Sequence, residues 1–162
     1  LDKGLLFGWQ FRQAGRNDVM NKVAIVYWSG TGNTKIMAEC IAEGVKAAGA
    51  EVELLNPTEF SDARWREFGV VAFGCPAMGA EQLEEEEVEP MFEGLTGTLS
   101  GKKIALFGSY GWGDGQWMRD WCARCDDAGA NLYDAEGLMA HETPDDAAQE
   151  ACRELGRKLA AW

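Results

Sequence analysis

From position 20 onward, short runs of β-branched and aromatic residues alternate with longer stretches whose apolar positions recur every three or four residues. The first pattern predicts strands and the second predicts helices. Residues 22–28 read as a strand, and residues 34–48 as a helix with Met37, Ile41, Val45 and Ala48 on one stripe and Gly49 as its cap. Residues 51–55 form the second strand, 58–68 a polar connection with a turn of helix around Trp65, and 70–74 a near-continuous apolar strand suited to the middle of a sheet. Beyond an acidic loop, Pro90 marks a helix start as the first helical residue, with Met91, Leu95 and Leu99 facing inward. Residues 103–108 are the fourth strand, 115–128 a helix closed by Gly129, and the fifth strand lies within 131–139. Thr143-Pro144-Asp145-Asp146 caps a final helix that buries Ala148, Cys152, Leu155 and Leu159.

Strict alternation of five strands with four or five helices predicts an α/β chain with a parallel sheet covered on both faces. Right-handed crossovers restrict it to a doubly wound, three-layer sandwich. In such a sheet, ligands sit outside the carboxyl ends of the strands where the winding reverses, so the loops there are the ones to read for function.

Length fits one domain: 162 residues with 46% hydrophobic content can bury a single core. Residues 1–19 read as an N-terminal extension, a leader or a segment added upstream, because Met20 stands directly before the first strand; residues 20–162 are the folded domain. The chain carries 27 acidic and 15 basic residues, a net charge of −12, and without the extension 25 acidic and 12 basic remain, or −13. That balance argues against nucleic acid or an anionic membrane as partner and favours a basic protein. No apolar run approaches the roughly 20 residues needed to span a bilayer. Five cysteines make no disulfide framework, which points to reduced thiols and a cytoplasmic location. Cys122 and Cys125 have redox-pair spacing, but they share a helical stripe with Met118 and Trp121, so they read as buried helix residues.

Three loops carry the chemistry. After the first strand comes Ser29-Gly30-Thr31-Gly32-Asn33-Thr34, in which glycines expose backbone N–H groups, three hydroxyls add donors, and a helix N-terminus adds partial positive charge. This is a cradle for a phosphate monoester; it lacks the GxxxxGK[ST] spacing of triphosphate binders and contains no Lys or Arg. After the third strand comes Cys75-Pro76-Ala77-Met78-Gly79-Ala80-Glu81. A phosphatase would need Arg where Glu81 stands, whereas Met78 beside Gly79 suits packing on a flat ring and switching one peptide. After the fourth strand, Ser109-Tyr110-Gly111-Trp112-Gly113-Asp114-Gly115, followed by Trp117, sets an indole between glycines as a stacking platform. Each loop alone has a plainer reading as a turn or a cover over the core; the three in order are specific.

Tyr27 to Thr34, Pro76 to Gly79 with Glu81, and Gly108 to Gly113 resemble the three flavin mononucleotide (FMN) loops of short-chain bacterial flavodoxins, and the resemblance spans residues 20–162. It implies a five-stranded parallel sheet of order 2-1-3-4-5. It also implies a low-potential one-electron carrier working on the semiquinone/hydroquinone couple of non-covalently bound FMN, with no substrate of its own. By this resemblance the residues 29–34 loop holds the phosphate, with Trp28 beside it and the ribityl chain. Met78 and Trp112 flank the isoalloxazine, and Glu81 accepts from ring N3–H. The Met78–Gly79 peptide turns its carbonyl toward N5–H, and backbone groups of Ala77, Ser109 and Gly111 reach the ring edge. Pro76, Tyr110, Gly113, Asp114 and Trp117 complete the expected contacts.

The implied partners are redox proteins with basic patches around their cofactors, ferredoxin-type reductases and acceptor enzymes, met by a monomer. Glu81, Glu84 to Glu87, Glu89 and Asp114 are the expected steering surface. Two other classes compete: a quinone reductase of the same fold, which needs extra loops, and a receiver domain, which needs acids where Trp28-Ser29 and Cys75 stand. His141, the single histidine, reads as a surface residue in the loop before the last helix.

Overall fold

The computed structural model describes residues 22–162; the expected extension at 1–19 lies outside them. Six strands and four helices follow one another: β1 (Val23–Tyr27), α1 (Asn33–Ala47), β2 (Val52–Leu55), β3 (Val70–Gly74), α2 (Val88–Leu95), β4 (Lys103–Tyr110), α3 (Gln116–Asp127), β5 (Asn131–Leu132), β6 (Leu138–His141) and α4 (Asp146–Ala161). The connection from β2 to β3 is two 3₁₀ segments, Pro57–Glu59 and Asp62–Glu67, the second carrying Trp65. All strand pairs are parallel, in the order β2-β1-β3-β4-β5 with β6 also on β4.

Period-two alternation divides the sheet's side chains between two cores. Val23, Ile25, Val70, Ala72, Ala105 and Phe107 face α1 and α4, while Ala24, Val26, Val71, Phe73, Ile104 and Leu106 face α2, α3 and the 3₁₀ segments. The second core contains an edge-to-face aromatic chain: Trp65 to Phe60 at 5.1 Å, Phe60 to Phe73 at 5.8 Å, Phe73 to Phe92 at 5.8 Å and Phe92 to Trp121 at 5.7 Å. In the first core, α1 and α4 touch backbone to backbone. A Cβ on Gly44 would lie 1.9 Å from the Arg153 carbonyl oxygen, and one on Gly156 would lie 2.0 Å from that of Ile41.

Two elements and one side chain differ from the sequence reading. The fifth strand is two short strands sharing one side of β4. Residues 133–137 turn away between them because Asp134 Oδ1 accepts from Glu136 N–H at 2.9 Å, its carbonyl accepts from Gly137 N–H at 3.2 Å, and Gly137 takes φ +72°. Helix α2 starts at Val88, so Pro90 is its third residue, and Leu99 lies beyond its end. Its N-terminus is capped from outside the helix. Glu84 is 5% exposed, and its carboxylate accepts from the N–H groups of Glu86 at 2.7 Å, Glu87 at 2.8 Å and Val88 at 3.0 Å. Burial works to raise this carboxyl, but the three backbone donors outweigh it and hold the group below the usual carboxylate range. Glu84 is therefore a structural cap and not part of an exposed steering surface.

Two predictions follow from this packing. Gly44→Ala should cost about 1–3 kcal/mol or more through overpacking, whereas Gly94→Ala, in α2 with open space at its Cβ, should stabilise by roughly 0.5–1 kcal/mol. Denaturant melts of both variants test this, and equal effects would contradict the helix–helix contact. Because Glu84 is depressed when folded, its contribution is complete above the ordinary Glu range and is lost as pH falls through the lower folded value. Glu84→Gln should lower stability at neutral pH by about 1–2 kcal/mol and flatten the acid limb of the stability–pH curve. A wild-type-like profile would remove the cap assignment.

Candidate functional site

Three backbone hydrogen bonds carry the parallel register past the strand ends. Trp28 N–H donates to the Gly74 carbonyl at 3.1 Å, Cys75 N–H to that of Phe107 at 3.1 Å, and Ala77 N–H to that of Ser109 at 3.0 Å. Buried Thr34 and Ser109 join the first and third loops directly, their hydroxyl oxygens 2.9 Å apart. Since β2 and β3 lie on opposite sides of β1, the loops meet where the winding reverses.

In the first loop Gly32 takes φ +100°, a conformation open to glycine. Ser29 Oγ shapes the turn by accepting from Gly32 N–H at 3.2 Å and Lys35 N–H at 3.1 Å, which leaves its own proton free to donate. Thr34, expected to face an anion, instead shares its hydroxyl with Ser109. The N–H groups of Gly30, Thr31 and Thr34 have no acceptor among the described residues. Three free donors at a helix N-terminus, with no basic side chain in residues 29–34, make an anion cradle of neutral groups. Gly30 makes room for Trp28, whose indole carbon would stand 3.0 Å from a Cβ there.

The second loop is a tight turn. Met78 N–H donates to the Gln82 carbonyl at 2.9 Å, and the Met78 carbonyl accepts from Glu81 N–H at 2.7 Å. The Met78 carbonyl is thus tied within the turn, whereas the Gly79 carbonyl has no internal partner. Glu81 closes the turn in the left-handed region at φ 53°, at a cost of roughly 1–3 kcal/mol for a residue with a side chain. Its Oε1 is buried with no hydrogen-bond partner and lies against Gly113, where a Cβ would come 1.9 Å from it. Trp28, Met78, Gly79, Ala80 and Gln82, with Glu84 to Glu86, line a cleft of about 470 Å³ beside this turn.

In the third loop Trp112 is 68% exposed, so it does not serve as a cover for the core. Trp117 is different: it is 1% exposed and donates its Nε1–H to the Cys75 carbonyl at 3.0 Å, so it supports the loops from below. The Ala77 amide and Ser109 carbonyl bond each other and are not free to meet a ring. Asp114 pairs with Arg119 at 2.8 Å, which offsets the charge expected of it. Tyr110 packs on Trp117 at 5.7 Å and on His141 at 5.0 Å.

Sequence reasoning missed one group here. His141 ends β6, and its Nε2 lies 2.8 Å from the Gly111 carbonyl oxygen; the parallel pairing of β6 with β4 was the signal that its end reaches the loop edge. All five cysteines are buried and free, and burial pushes Cys75, Cys125 and Cys152 up to about 12 and Cys122 up to about 11. Among the described residues no group of acidic, Cys or His side chains is placed to hold a metal, and no helix is long and apolar enough to cross a membrane.

The flavodoxin family model matches residues 25–156. A flavodoxin of Megasphaera elsdenii is 49% identical over 140 residues, covering 85% of this chain and 98% of that protein. One from Clostridium beijerinckii is 46% identical over 136 residues, covering 84% and 97%. The solution structure of two-electron reduced Megasphaera elsdenii flavodoxin superposes with a TM-score of 0.76 at 48% identity, over 86% of this chain and 99% of that one.

Proposed function

The chain belongs to the flavodoxin family of FMN-binding electron carriers, which shuttle electrons between other proteins and have no substrate of their own; from that premise we propose that the loops after β1, β3 and β4 together hold the FMN. The observation that carries this reading is Glu81 Oε1, held out of solvent against Gly113 without a hydrogen-bond partner, on a residue in the left-handed region. A polar oxygen left without a donor is costly, and a ligand N–H would complete it.

The residues fit the group at both ends. The free N–H groups of Gly30, Thr31 and Thr34, with the Ser29 hydroxyl, would take the phosphate, and Trp28 would lie beside it. Met78 and exposed Trp112 would flank the ring, with Glu81 accepting from its N3–H and the Gly111 N–H at its edge. Pro76, Ala77, Ser109, Tyr110 and Gly113 shape the walls, Gly32 and Asn33 shape the cradle, and Trp117 braces it. FMN supplies the one-electron redox chemistry. The donors at residues 29–34 are neutral and the domain is strongly negative, with Lys35 just inside the helix as the one adjacent offset in that stretch, so the site resists further negative charge and favours a low potential. The Gly79 carbonyl, free of any internal partner, is the acceptor that can turn toward ring N5–H.

Partners are redox proteins, met with basic patches of their own. Exposed Glu85 and Glu86 and half-buried Glu87 carry the steering charge, because Glu84 is a cap and Glu89 is paired with Arg124 at 2.9 Å. The free thiols support a reducing, cytoplasmic setting, and residues 20–162 form the FMN-binding unit.

Stepwise electrochemical reduction tests the site. Wild type should take up two electrons at well separated potentials. Neither space nor backbone conformation requires a glycine at 79 in this state, since a Cβ would meet nothing within 4 Å and φ is not left-handed. Gly79→Ala should therefore fold as wild type does and lower the first potential by about 40–90 mV, the one-electron equivalent of roughly 1–2 kcal/mol of backbone cost. A single two-electron wave in wild type, or an unchanged first potential in the variant, would remove the assignment.

A further inference from the structure

The Gly111-Trp112-Gly113 segment has few anchors of its own: a Cβ on Gly111 would meet nothing within 4 Å, and Trp112 stands 68% exposed. What fixes it comes from elsewhere in the chain. On the far side of Trp112, Arg119 donates to the Asp114 carbonyl at 3.0 Å and to its carboxylate at 2.8 Å. On the near side the end of β6 takes both available carbonyls. Glu142 N–H donates to the Tyr110 carbonyl at 2.7 Å with Glu142 at φ 58°, and His141 Nε2 meets the Gly111 carbonyl at 2.8 Å. The Tyr110 ring covers His141 at 5.0 Å and an angle of 55°.

We infer that His141 is a positioning residue of the flavin site, which donates from Nε2 to the Gly111 carbonyl and so holds Trp112 ready to stack. This rests on the FMN reading above. A carbonyl oxygen can only accept, so Nε2 must carry the proton, which selects one of the two neutral tautomers. The role is to place the loop before the ligand arrives, and its worth appears as ordering entropy that binding need not supply. His141 is exposed, so the bond contributes to the loop's geometry and little to the core.

Two measurements on the full chain test the assignment. With one histidine in the sequence, long-range ¹H–¹⁵N NMR of the FMN-loaded protein with the imidazole neutral reads its tautomer without ambiguity. The Nε2–H form is expected, and the Nδ1–H form would overturn the proposal. FMN titration by fluorescence quenching should show His141→Ala binding two- to tenfold more weakly, roughly the net worth of one hydrogen bond. His141→Gln, whose amide places an N–H near Nε2, should recover affinity to within about twofold, and thermal melts without FMN should change little among the three. Equal affinity in the alanine variant, or no recovery with glutamine, overturns the positioning role while wild-type binding leaves the FMN reading standing. Failure of wild type to bind FMN overturns both.

Discussion

The site depends on the parallel register of β1, β3 and β4 continuing beyond the strands. Backbone bonds from Trp28 to Gly74, Cys75 to Phe107 and Ala77 to Ser109 place three separate loops edge to edge before any side chain contributes. The Thr34–Ser109 contact and the Trp117 indole beneath Cys75 then lock the first and second loops to the third. Everything the loops present to a ligand inherits its position from these bonds. The sheet's two cores, with α1 and α4 against one face and α2 and α3 against the other, keep that register from shifting.

Once the loops are fixed, the site divides by polarity. Its cradle end offers unpaired N–H groups with no basic side chain in residues 29–34, and its ring end offers Met78, Trp112 and the buried Glu81 Oε1. Two residues with side chains carry left-handed strain here, Glu81 in the second loop and Glu142 beside the third. Gly79 lies two residues from Glu81 in the same turn and needs no glycine for its present conformation. Within this one turn the Met78 carbonyl accepts from Glu81 N–H, whereas the Gly79 carbonyl has no internal partner.

Much of this was legible in the sequence, because it follows from local rules. Alternating apolar periods give the layers, and glycine- and hydroxyl-rich loops directly after strands give the cradle and the stacking platform. The features that escaped are non-local. Pro90 pointed to a helix start two residues late because the true cap, Glu84, reaches Val88 from outside the helix. The split of the fifth strand depends on an Asp134 turn within a run that otherwise reads as continuous. Trp117, expected to contact the ligand, is buried under the loops, and His141, expected on the surface, reaches the Gly111 carbonyl because β6 pairs with β4. Asp114 reads as a free charge in the sequence, but Arg119, in the first turn of α3, pairs with it.

The central claim is that neutral backbone donors at residues 30–34 recognise a phosphate while the other two loops recognise the ring. Competitive titration of the full chain with FMN and with riboflavin, which lacks the phosphate, tests it most directly. The account predicts one-to-one binding of FMN, with riboflavin weaker by about 100-fold or more, since several hydrogen bonds to a charged group are each worth about 1.5–3 kcal/mol. Equal affinity for the two would contradict it.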